Sequence, residues 1–327
     1  MRAAFYEAVG PASEVIQVGE RPTPQPGPGE VRIRVHASGV NPSDVKSRAG
    51  ARGAPSYPYI IPHSDGAGII DAVGAGVSPT RVGQRVWTWN AAWQRPFGTC
   101  AEFVCLPSEQ AVPLHPSVGF DAGACLGIPA MTACHAALGD GLLSGKTVLV
   151  TGGAGAVGHY AIQFAKWSGA RVLATVSGAA KAAHAKMAGA DHVINYRDQD
   201  VAAAIKELTG GAGVDRIVEV EFGGNLAVSS QILKPGGVIA AYASMAVPAP
   251  SLPFYPMMLN HTTVHMLLVY RLSDAQRQRV RTLINDALEA GVLRHSVGAR
   301  FALTDTAKAH IAVESGAVIG NVVVDVD

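Results

Sequence analysis

A glycine-rich turn between a strand and a helix constrains this chain more than any other feature. The apolar run KTVLV at 146–150 predicts a strand, a helical stretch follows at 157–167, and Gly153, Gly155 and Gly158 have the spacing Gly-x-Gly-x-x-Gly. In such a turn the first glycine permits a tight bend, the second lets the backbone approach a pyrophosphate, and the third lets helix and strand pack closely. The helix N-terminus adds amide donors and a partial positive charge. The motif therefore predicts a dinucleotide-binding site.

The end of the next strand indicates which dinucleotide binds there. The strand RVLATV at 171–176 is followed by Ser177, about where a NAD-selective site has an acidic residue on the ribose 2′-hydroxyl. No acidic residue occurs at 173–180, and Lys181 lies one helical turn beyond Ser177, where it would hold a 2′-phosphate. Tyr196, at the end of the following strand HVINY, could face the adenosine ribose. Alternatively, Lys181 is a solvated surface lysine and Tyr196 an ordinary strand end. NADPH is the expected cofactor.

Strands and helices alternate from about residue 121, beginning with an Ala-rich helical stretch at 121–138. Strands separated by helices of this length imply right-handed crossovers and a parallel sheet. The part before them reads as short strands punctuated by Pro and Gly. A helix at 274–290 and two later strands follow what should be the complete sheet, so we expect the chain to return to the N-terminal domain. We predict an α/β protein with a Rossmann-type doubly wound parallel sheet at 122–261 and a discontinuous β-rich domain at 1–121 and 262–327.

Charge and cysteine content exclude several classes of protein. The chain has 26 Lys and Arg against 25 Asp and Glu, a formal net charge of +1, so nucleic acid is not an expected partner. Its start lacks the apolar core of a secretory signal, and no apolar run is long enough to cross a bilayer, so we expect a cytoplasmic protein without membrane contact. Four cysteines without Cys-x-x-Cys spacing are expected to be reduced thiols rather than metal ligands: Cys100, Cys105, Cys125 and Cys134.

Several separated segments occur in a recognisable order along nearly the whole chain. They are VHASGVNPSDVKSRAG, PYIIPHSDGAGIIDAVG, GTCAEFV, GIPAMTACHAAL, the glycine-rich turn, LKPGGVIAAYAS and SGAVIGNVVV. In these segments the chain resembles the zinc-free, zeta-crystallin-like quinone oxidoreductases of the medium-chain dehydrogenase/reductase superfamily. The resemblance implies that the β-rich part is a GroES-like catalytic domain. It also implies NADPH-dependent reduction of a quinone by hydride or electron transfer, without a metal, in a protein that is a homodimer.

The resemblance also assigns roles to individual residues. It implies that Asn41 and Thr132 lie near the nicotinamide and that Asn225 and Ser244 line the same site. It places on the pyrophosphate Ala154, Gly155, Ala156, Val157 and Gly158, and around the adenosine phosphate Ser177, Lys181 and Tyr196. Lys46 occupies the position of a family tyrosine that contacts the cofactor, although Arg48 and Gly50 match the family. Asn41 and Lys46 are the candidate catalytic donors to a developing oxyanion.

The residues that bind zinc in other members of the superfamily are replaced in this chain. The first ligand is a cysteine soon after the strand that ends at Gly39, where this chain has Val40, Asn41 and Pro42. The second lies in a Gly-His-Glu segment, which here reads His63, Ser64, Asp65, so that serine replaces the ligand histidine. We therefore expect no metal. His63 is interpreted as a packing or hydrogen-bonding residue, with a catalytic acid as the alternative.

Two questions stay open in the sequence. Trp93 could stack on a planar quinone, whereas Trp87 and Trp89 share one face of a strand and fit the core as well as a pocket. The activity could instead be that of an enone or 2-alkenal double-bond reductase, or the chain could be a non-catalytic NADPH-binding, crystallin-like protein.

The strand-like segment TTVHMLLVY at 262–270 could pair between the subunits of the expected homodimer.

Overall fold

The computed structural model describes residues 1–51 and 53–326, which form two compact units. One unit is discontinuous, comprises Met1–Pro129 and His295–Asp327, and is here named the β-rich unit. The other comprises Ala130–Arg294 and is named the parallel-sheet unit. No helix within the described residues has the length and hydropathy needed to span a bilayer.

The N-terminal segment of the β-rich unit consists mainly of short strands. In chain order its elements are β1 (Arg2–Phe5), α1 (Ala12–Val15), β2 (Gln17–Glu20), β3 (Glu30–Val40), α2 (Pro42–Arg48), β4 (Asp65–Val73), β5 (Arg85–Thr88), β6 (Phe103–Pro107), β7 (Ala111–Pro113) and α3 (Phe120–Gly123). Strands β1 and β2 form a separate antiparallel pair.

The parallel-sheet unit alternates strands with helices. Its elements are α4 (Met131–Leu138), β8 (Thr147–Val150), α5 (Ala156–Trp167), β9 (Arg171–Val176), α6 (Ala179–Met187), β10 (His192–Asn195), α7 (Val201–Leu208), β11 (Val214–Glu219), α8 (Phe222–Ile232), β12 (Leu233–Ala241), α9 (Phe254–Leu259), β13 (Thr263–Met266) and α10 (Asp274–Glu289). The strands are parallel, in the order β10-β9-β8-β11-β12-β13. This is the order of a Rossmann-type doubly wound sheet, which confirms the predicted fold class.

The C-terminal segment completes the β-rich unit with β14 (Val297–Ala302), α11 (Thr306–Ser315) and β15 (Asn321–Asp325). Strand β15 pairs antiparallel with β3, which also pairs with β4 and β6 in a seven-stranded mixed sheet. The central strand β3 shows the alternation expected from the sequence. Val31 and Ile33 are 0% exposed and pack in the core, whereas Arg34 faces solvent.

The chain positions that divide the two units differ from those expected. The predicted boundaries are 121/122 and 261/262, whereas the units divide at 129/130 and 294/295. Strand β13 extends the parallel sheet, pairing with β12 from Thr263 to Met266. Helix α10 is tied to α4 by a hydrogen bond of 3.2 Å from Arg279 Nη2 to the carbonyl oxygen of Leu138. Because of these contacts the segment before residue 295 belongs to the parallel-sheet unit, and only the final segment returns to the β-rich unit.

The helical stretch predicted at 121–138 is divided into three pieces. Helix α3 ends at Gly123, a π-helical turn covers Leu126–Ala130, and α4 begins at Met131. Pro129 lies inside the π-helical turn. Proline has no amide hydrogen and its ring crowds the preceding turn, so a regular α-helix cannot pass through this position.

A pair of buried histidines joins β-rich elements that are far apart in sequence. The Nε2 atoms of His63 and His310 are 2.9 Å apart, and His63 Nδ1 is 2.8 Å from Ser38 Oγ. Both rings are 0% exposed. Burial lowers the pKa of His63 well below its usual value, and the nearby His310 adds to this effect. Burial, with the positive charge of Arg48, lowers the pKa of His310 to about 3. His63 therefore packs and hydrogen-bonds in the core, which is the interpretation favoured from the sequence over a catalytic acid.

This pair predicts acid-sensitive stability of the protein. The folded state keeps both imidazoles neutral, whereas the unfolded chain binds protons at a pKa of about 6.5. Stability is therefore fully present above pH 6.5 and is lost as the pH falls below that value. Each histidine contributes about 1.4 kcal/mol per pH unit in this window. Urea unfolding of His310→Gln between pH 7 and 5 should show a shallower dependence on pH than the wild type. An unchanged slope would contradict the role of the pair.

Candidate active site

The glycine-rich turn lies between β8 and α5, at the carboxyl edge of the sheet where the strand order reverses. Gly152 has the left-handed φ of +63°, so it and not Gly153 forms the tight bend, which corrects the expected role of Gly153. Gly153 serves close packing, since an added Cβ would lie 2.9 Å from Ala174 Cβ. A Cβ at Gly158 would lie 2.3 Å from the Gly152 carbonyl oxygen, so α5 begins directly against the turn.

The start of α5 offers the donors that a pyrophosphate needs. Gly155 caps the helix without a side-chain hydrogen bond, and Ala156 and Val157 are its first residues. The amides of the first helical turn have no intrahelical acceptor, and the helix dipole makes this end partly positive. A Cβ added at Gly155 would contact, among the described residues, only the Gly152 carbonyl oxygen at 3.3 Å. The residues present here therefore fit a dinucleotide pyrophosphate.

The residues predicted to hold the adenosine phosphate lie together at the ends of β9 and β10. The Tyr196 amide donates to the Val176 carbonyl oxygen at 3.1 Å, so Tyr196 and Ser177 follow directly after paired strand residues. Tyr196 is 52% exposed. Lys181 is the third residue of α6, half-buried, and forms no ion pair with any residue that the structure describes. Its ammonium group is available to an anion at this edge of the sheet.

Asn225 lies in α8 after β11 and Ser244 follows β12, and a carboxylate that the sequence did not single out holds each region. Glu219, the last residue of β11, is 0% exposed. Its Oε1 accepts hydrogen bonds from Thr151 Oγ1 at 2.7 Å, from the Glu221 amide at 2.7 Å and from Asn225 Nδ2 at 2.9 Å. Burial raises the pKa of Glu219, and these hydrogen bonds oppose that rise. Glu219 thus joins the residue before the glycine turn to Asn225.

Glu221 fixes the loop that carries Ser244. Its Oε2 accepts from the amides of Met245 at 2.7 Å and Ala246 at 3.0 Å, and its Oε1 accepts from Gly224 at 3.4 Å. Burial of the carboxyl group raises the pKa of Glu221, but the hydrogen bonds from these backbone amides have the larger combined effect. The pKa of Glu221 is therefore lowered. Ser244 Oγ accepts from the Gly223 amide at 2.9 Å and donates to the Val247 carbonyl oxygen at 2.6 Å. We name residues 244–247 the Ser244 loop.

The Ser244 loop borders a cavity of about 330 Å³ at the same end of the sheet. Residues that line it include Phe222, Tyr242, Ser244, Pro248, Pro250 and Leu252. The walls are mainly apolar, with few polar groups, which is the usual character of a site for a cofactor ring. Glu221 therefore controls the position of one wall of this cavity.

Glu221→Ala should loosen the Ser244 loop. A hydrogen bond to a charged group is worth roughly 1.5 to 3 kcal/mol, reduced here by solvent exposure, so amide exchange in the loop should accelerate by about tenfold. Hydrogen–deuterium exchange at Met245 and Ala246 measures this directly. Glu207→Ala, on the surface of α7, is the matched control and should leave the loop unchanged. Equal exchange rates in the wild type and Glu221→Ala would show that the carboxylate does not hold the loop.

In the β-rich unit, Asn41 is oriented by two carboxylates. Its amide nitrogen Nδ2 donates to Asp65 Oδ2 at 2.7 Å, and its backbone amide donates to Asp44 Oδ2 at 2.8 Å. Asp65 also accepts the Ile128 amide at 2.9 Å. Burial raises the pKa of Asp65 well above its usual value, and the charge of Asp44 adds to this, while the hydrogen bonds from Asn41 and Ile128 oppose it. Asn41 is only 4% exposed, and one hydrogen of its amide group remains for another acceptor.

A second cavity, of about 320 Å³, lies beside helix α2 and is here named the aromatic cavity. Residues that line it include Tyr6, Asp44, Tyr57, Ser64, Trp93 and Arg95. Trp93 is thus a pocket residue, whereas Trp87 and Trp89 are 0% and 3% exposed and belong to the core. Asp44 and Ser47 of α2 line the cavity, but Lys46 is not among its lining residues in the described chain. Thr132 lies in the other unit, in α4, and is 7% exposed.

The residues at the replaced zinc positions do not form a zinc site. Zinc in proteins takes cysteine, histidine or carboxylate ligands in tetrahedral sets. The Asn41 amide and the Asp65 carboxylate are hydrogen-bonded to each other at 2.7 Å, and Ser64 offers only a hydroxyl. Among the residues that the structure describes, no group of three or more His, Cys, Asp or Glu side chains could hold a metal ion. The donor set present here does not fit the metal.

We therefore expect the purified protein to contain well under one zinc ion per chain and to keep its activity in the presence of a chelator. Inductively coupled plasma mass spectrometry after dialysis measures the metal content. Asn41→Cys serves as the comparison, because it restores a thiolate to the first ligand position without the rest of the set. A content of about one zinc per chain, with activity lost to a chelator, would overturn the assignment.

The four thiols are poor nucleophiles in this structure. Burial raises the pKa of Cys100 to about 12, although a hydrogen bond with Thr306 opposes the rise. Burial, with the charge of Glu30, raises the pKa of Cys105 to about 12. Burial also raises the pKa of Cys125 and Cys134. Because the thiolate is the reactive form, these side chains act as small apolar groups at neutral pH.

Comparison with known proteins agrees with this geometry. Residues 27–116 match the alcohol dehydrogenase GroES-like domain, and residues 156–288 match the family described as zinc-binding dehydrogenase. A quinone oxidoreductase of Rattus norvegicus is 31% identical over 316 residues, which cover 95% of this chain and 93% of the relative. A 2-haloacrylate reductase of a Burkholderia species is 31% identical over 99% of this chain and 98% of its own length.

The same likeness extends to three-dimensional structure. A mycobacterial protein solved in complex with NADPH is 29% identical and superposes with a TM-score of 0.87, covering 99% of this chain and 100% of that one. The chain therefore belongs to the medium-chain dehydrogenase/reductase superfamily and, within it, to the quinone oxidoreductase family.

Proposed function

We propose that this protein is an NADPH-dependent reductase of planar conjugated acceptors, with quinones as the first candidate class. The observation that carries the proposal is the cradle at the start of α5, where Gly158 and the first amides of the helix fit a pyrophosphate. The acid-free end of β9, with Lys181 one helical turn beyond Ser177, favours NADPH over NADH. The mycobacterial relative that binds NADPH supports the same cofactor.

The residues of the chain divide between binding and positioning. When bound, NADPH supplies a hydride from its nicotinamide ring to the acceptor. The turn and α5 hold the pyrophosphate, Ser177, Lys181 and Tyr196 surround the 2′-phosphate, and Asn225 and Ser244 with Thr132 lie on the nicotinamide side. Asn41, oriented by Asp65, donates its remaining amide hydrogen to the oxygen on which negative charge develops. Lys46 is a second candidate donor, in the half-buried middle of α2.

A double-bond reductase is the second candidate. The relative named 2-haloacrylate reductase matches almost the full length of this chain and favours it. Profiling NADPH oxidation with benzoquinones, naphthoquinones, enones and 2-alkenals separates the two candidates. We expect turnover of at least one of these acceptors, and the ratio of kcat/KM values decides the class. Tight NADPH binding without turnover of any acceptor would mean that the protein is a non-catalytic NADPH-binding protein.

We also infer that the protein is a homodimer. The outer edge of β13 has no strand partner among the described residues, and Met266 and Leu268 beside it are 66% and 48% exposed. An unpaired strand edge with exposed apolar side chains favours pairing with a second copy of the same strand.

Lys181→Ala should weaken NADPH binding by about ten- to a hundredfold at low salt, because a charge-assisted hydrogen bond to the 2′-phosphate is lost. NADH has no such phosphate, so its dissociation constant should hardly change. Raising the ionic strength should reduce the preference of the wild type for NADPH, since a solvent-accessible charge is screened. Fluorescence titration with both cofactors measures the two constants.

Lys186→Ala is the matched control, because Lys186 is an exposed lysine of the same helix α6. It should leave both dissociation constants near those of the wild type. If Lys181→Ala weakened NADPH and NADH equally, or if the wild type preferred NADH, the assignment of the 2′-phosphate to Lys181 would be wrong.

A further inference from the structure

Arg95 is held at the wall of the aromatic cavity by neutral partners. Its Nη2 donates to Gln110 Oε1 at 2.6 Å and to the Asn90 carbonyl oxygen at 3.3 Å. Gln110 is 8% exposed, and its own Nε2 donates to the Trp89 carbonyl oxygen at 3.1 Å, which fixes the direction of its amide. The guanidinium is therefore positioned by a buried side chain before any ligand arrives.

The positive charge of Arg95 is not paired with a carboxylate of the described chain. Its two hydrogen bonds both use Nη2, so the donors on Nη1 and Nε have no partner among the described residues. Burial lowers the pKa of Arg95, and the attraction of Glu30, which is not within ion-pair distance, opposes this. Asp44, the acidic residue of the cavity wall, is already bound to the backbone amide of Asn41. A half-buried, unpaired cation favours an anionic ligand.

The backbone that carries Arg95 is strained. Asn90 and Gln94 have φ values of +55° and +56°, in the left-handed region that non-glycine residues rarely adopt. The Trp93 amide donates to the Asn90 carbonyl oxygen at 3.1 Å, which closes the turn. The turn places Trp93 and Arg95 side by side in the cavity wall, and backbone strain of this kind clusters at ligand sites.

The geometry points to a carboxylate on the acceptor: we propose that Arg95 binds the carboxylate of a 2-alkenoate, a planar acid with a conjugated double bond, in the aromatic cavity. The single guanidinium matches one monoanion, and its free donors on Nη1 and Nε can each reach a carboxylate oxygen. The rings of Tyr6, Tyr57 and Trp93 supply flat walls for the conjugated part. The proposal rests on the proposed reductase function and names the substrate class of that site.

The chemistry explains why a cation is needed. A carboxylate already carries a negative charge and accepts further electron density poorly, so hydride addition to a conjugated acid requires that this charge be neutralised. A conjugated aldehyde or ketone is neutral and does not require it. Reduction consumes one NADPH and one proton: the π bond breaks, hydride forms a new C–H bond at C3, and a proton adds at C2. Negative charge develops on the carboxylate oxygens in between. Arg95 stabilises it there.

Equilibrium binding of a saturated acid tests the site without turnover. Calorimetric titration should show that 3-phenylpropionate binds the wild type about ten- to a hundredfold more tightly than the neutral 3-phenylpropanamide of the same shape. Arg95→Gln should remove this difference, and Arg95→Lys should retain part of it, since lysine keeps the charge but not the donor positions of Nη1 and Nε. Arg2→Gln, on an exposed arginine of the same unit, is the control and should bind as the wild type does.

Turnover supplies the second readout. With NADPH, the wild type should reduce cinnamate at a kcat/KM about ten- to a hundredfold above that for cinnamamide, and Arg95→Gln should lower the first value alone. Equal binding and equal turnover of acid and amide by the wild type would overturn the proposal whether or not the variant folds. If quinones or enones are reduced but acids show no preference, the reductase function stands and the carboxylate site falls. If acids bind through Arg95 but no acceptor is reduced, the carboxylate site stands and the reductase function falls.

Discussion

The contact between the start of α5 and the Gly152 carbonyl oxygen is the constraint on which the parallel-sheet unit depends. A Cβ at Gly158 would lie 2.3 Å from that oxygen, so only glycine allows the helix to begin there. The contact places the N-terminus of α5 at the carboxyl edge of the sheet, beside the ends of β9 and β11. Every residue proposed to hold the cofactor in this unit is positioned relative to that helix end, because the strands are in parallel register with β8.

The parts of the site that follow from local chemistry are readable in the sequence. The glycine spacing and the acid-free end of β9 identify the turn, Ser177 and Lys181, since each lies within a few residues of a predictable strand. Glu221 has no such signature, because its amide partners Met245 and Ala246 are more than twenty positions away. An acidic residue directly after the apolar pair Ile217 and Val218 at the end of a strand, as at Glu219, is the signal that could have drawn attention to this edge.

The misplaced boundaries have a related cause. Periodicity predicts that β13 and α10 exist but not which sheet they join, because a strand of four residues has the same pattern in either unit. The parallel pairing of Thr263 to Met266 with β12 decides this, and it is a contact between distant residues. The predicted alternation of strands and helices did not single out α8, since Gly223 and Gly224 in its first turn lower helix propensity. Gly223 is nevertheless required, as a Cβ there would lie 2.1 Å from the Val247 carbonyl oxygen.

The Asn41–Asp65 pair and Arg95 are the two polar features of the β-rich unit on which the proposed chemistry depends. In zinc-binding relatives this position holds a divalent cation. Here the Asn41 amide donates a hydrogen bond to Asp65 instead, and burial raises the pKa of Asp65. In the proposed function that pair brings no positive charge to the reacting oxygen, so Asn41 would offer a dipole only. A neutral acceptor such as a quinone brings no charge of its own into the site, so a neutral donor leaves no buried charge unpaired. A substrate that is already an anion needs a cation, and Arg95 is the arginine in the described wall of the aromatic cavity. The charge of the acceptor, more than its ring, is then what distinguishes the two candidate substrate classes at this site.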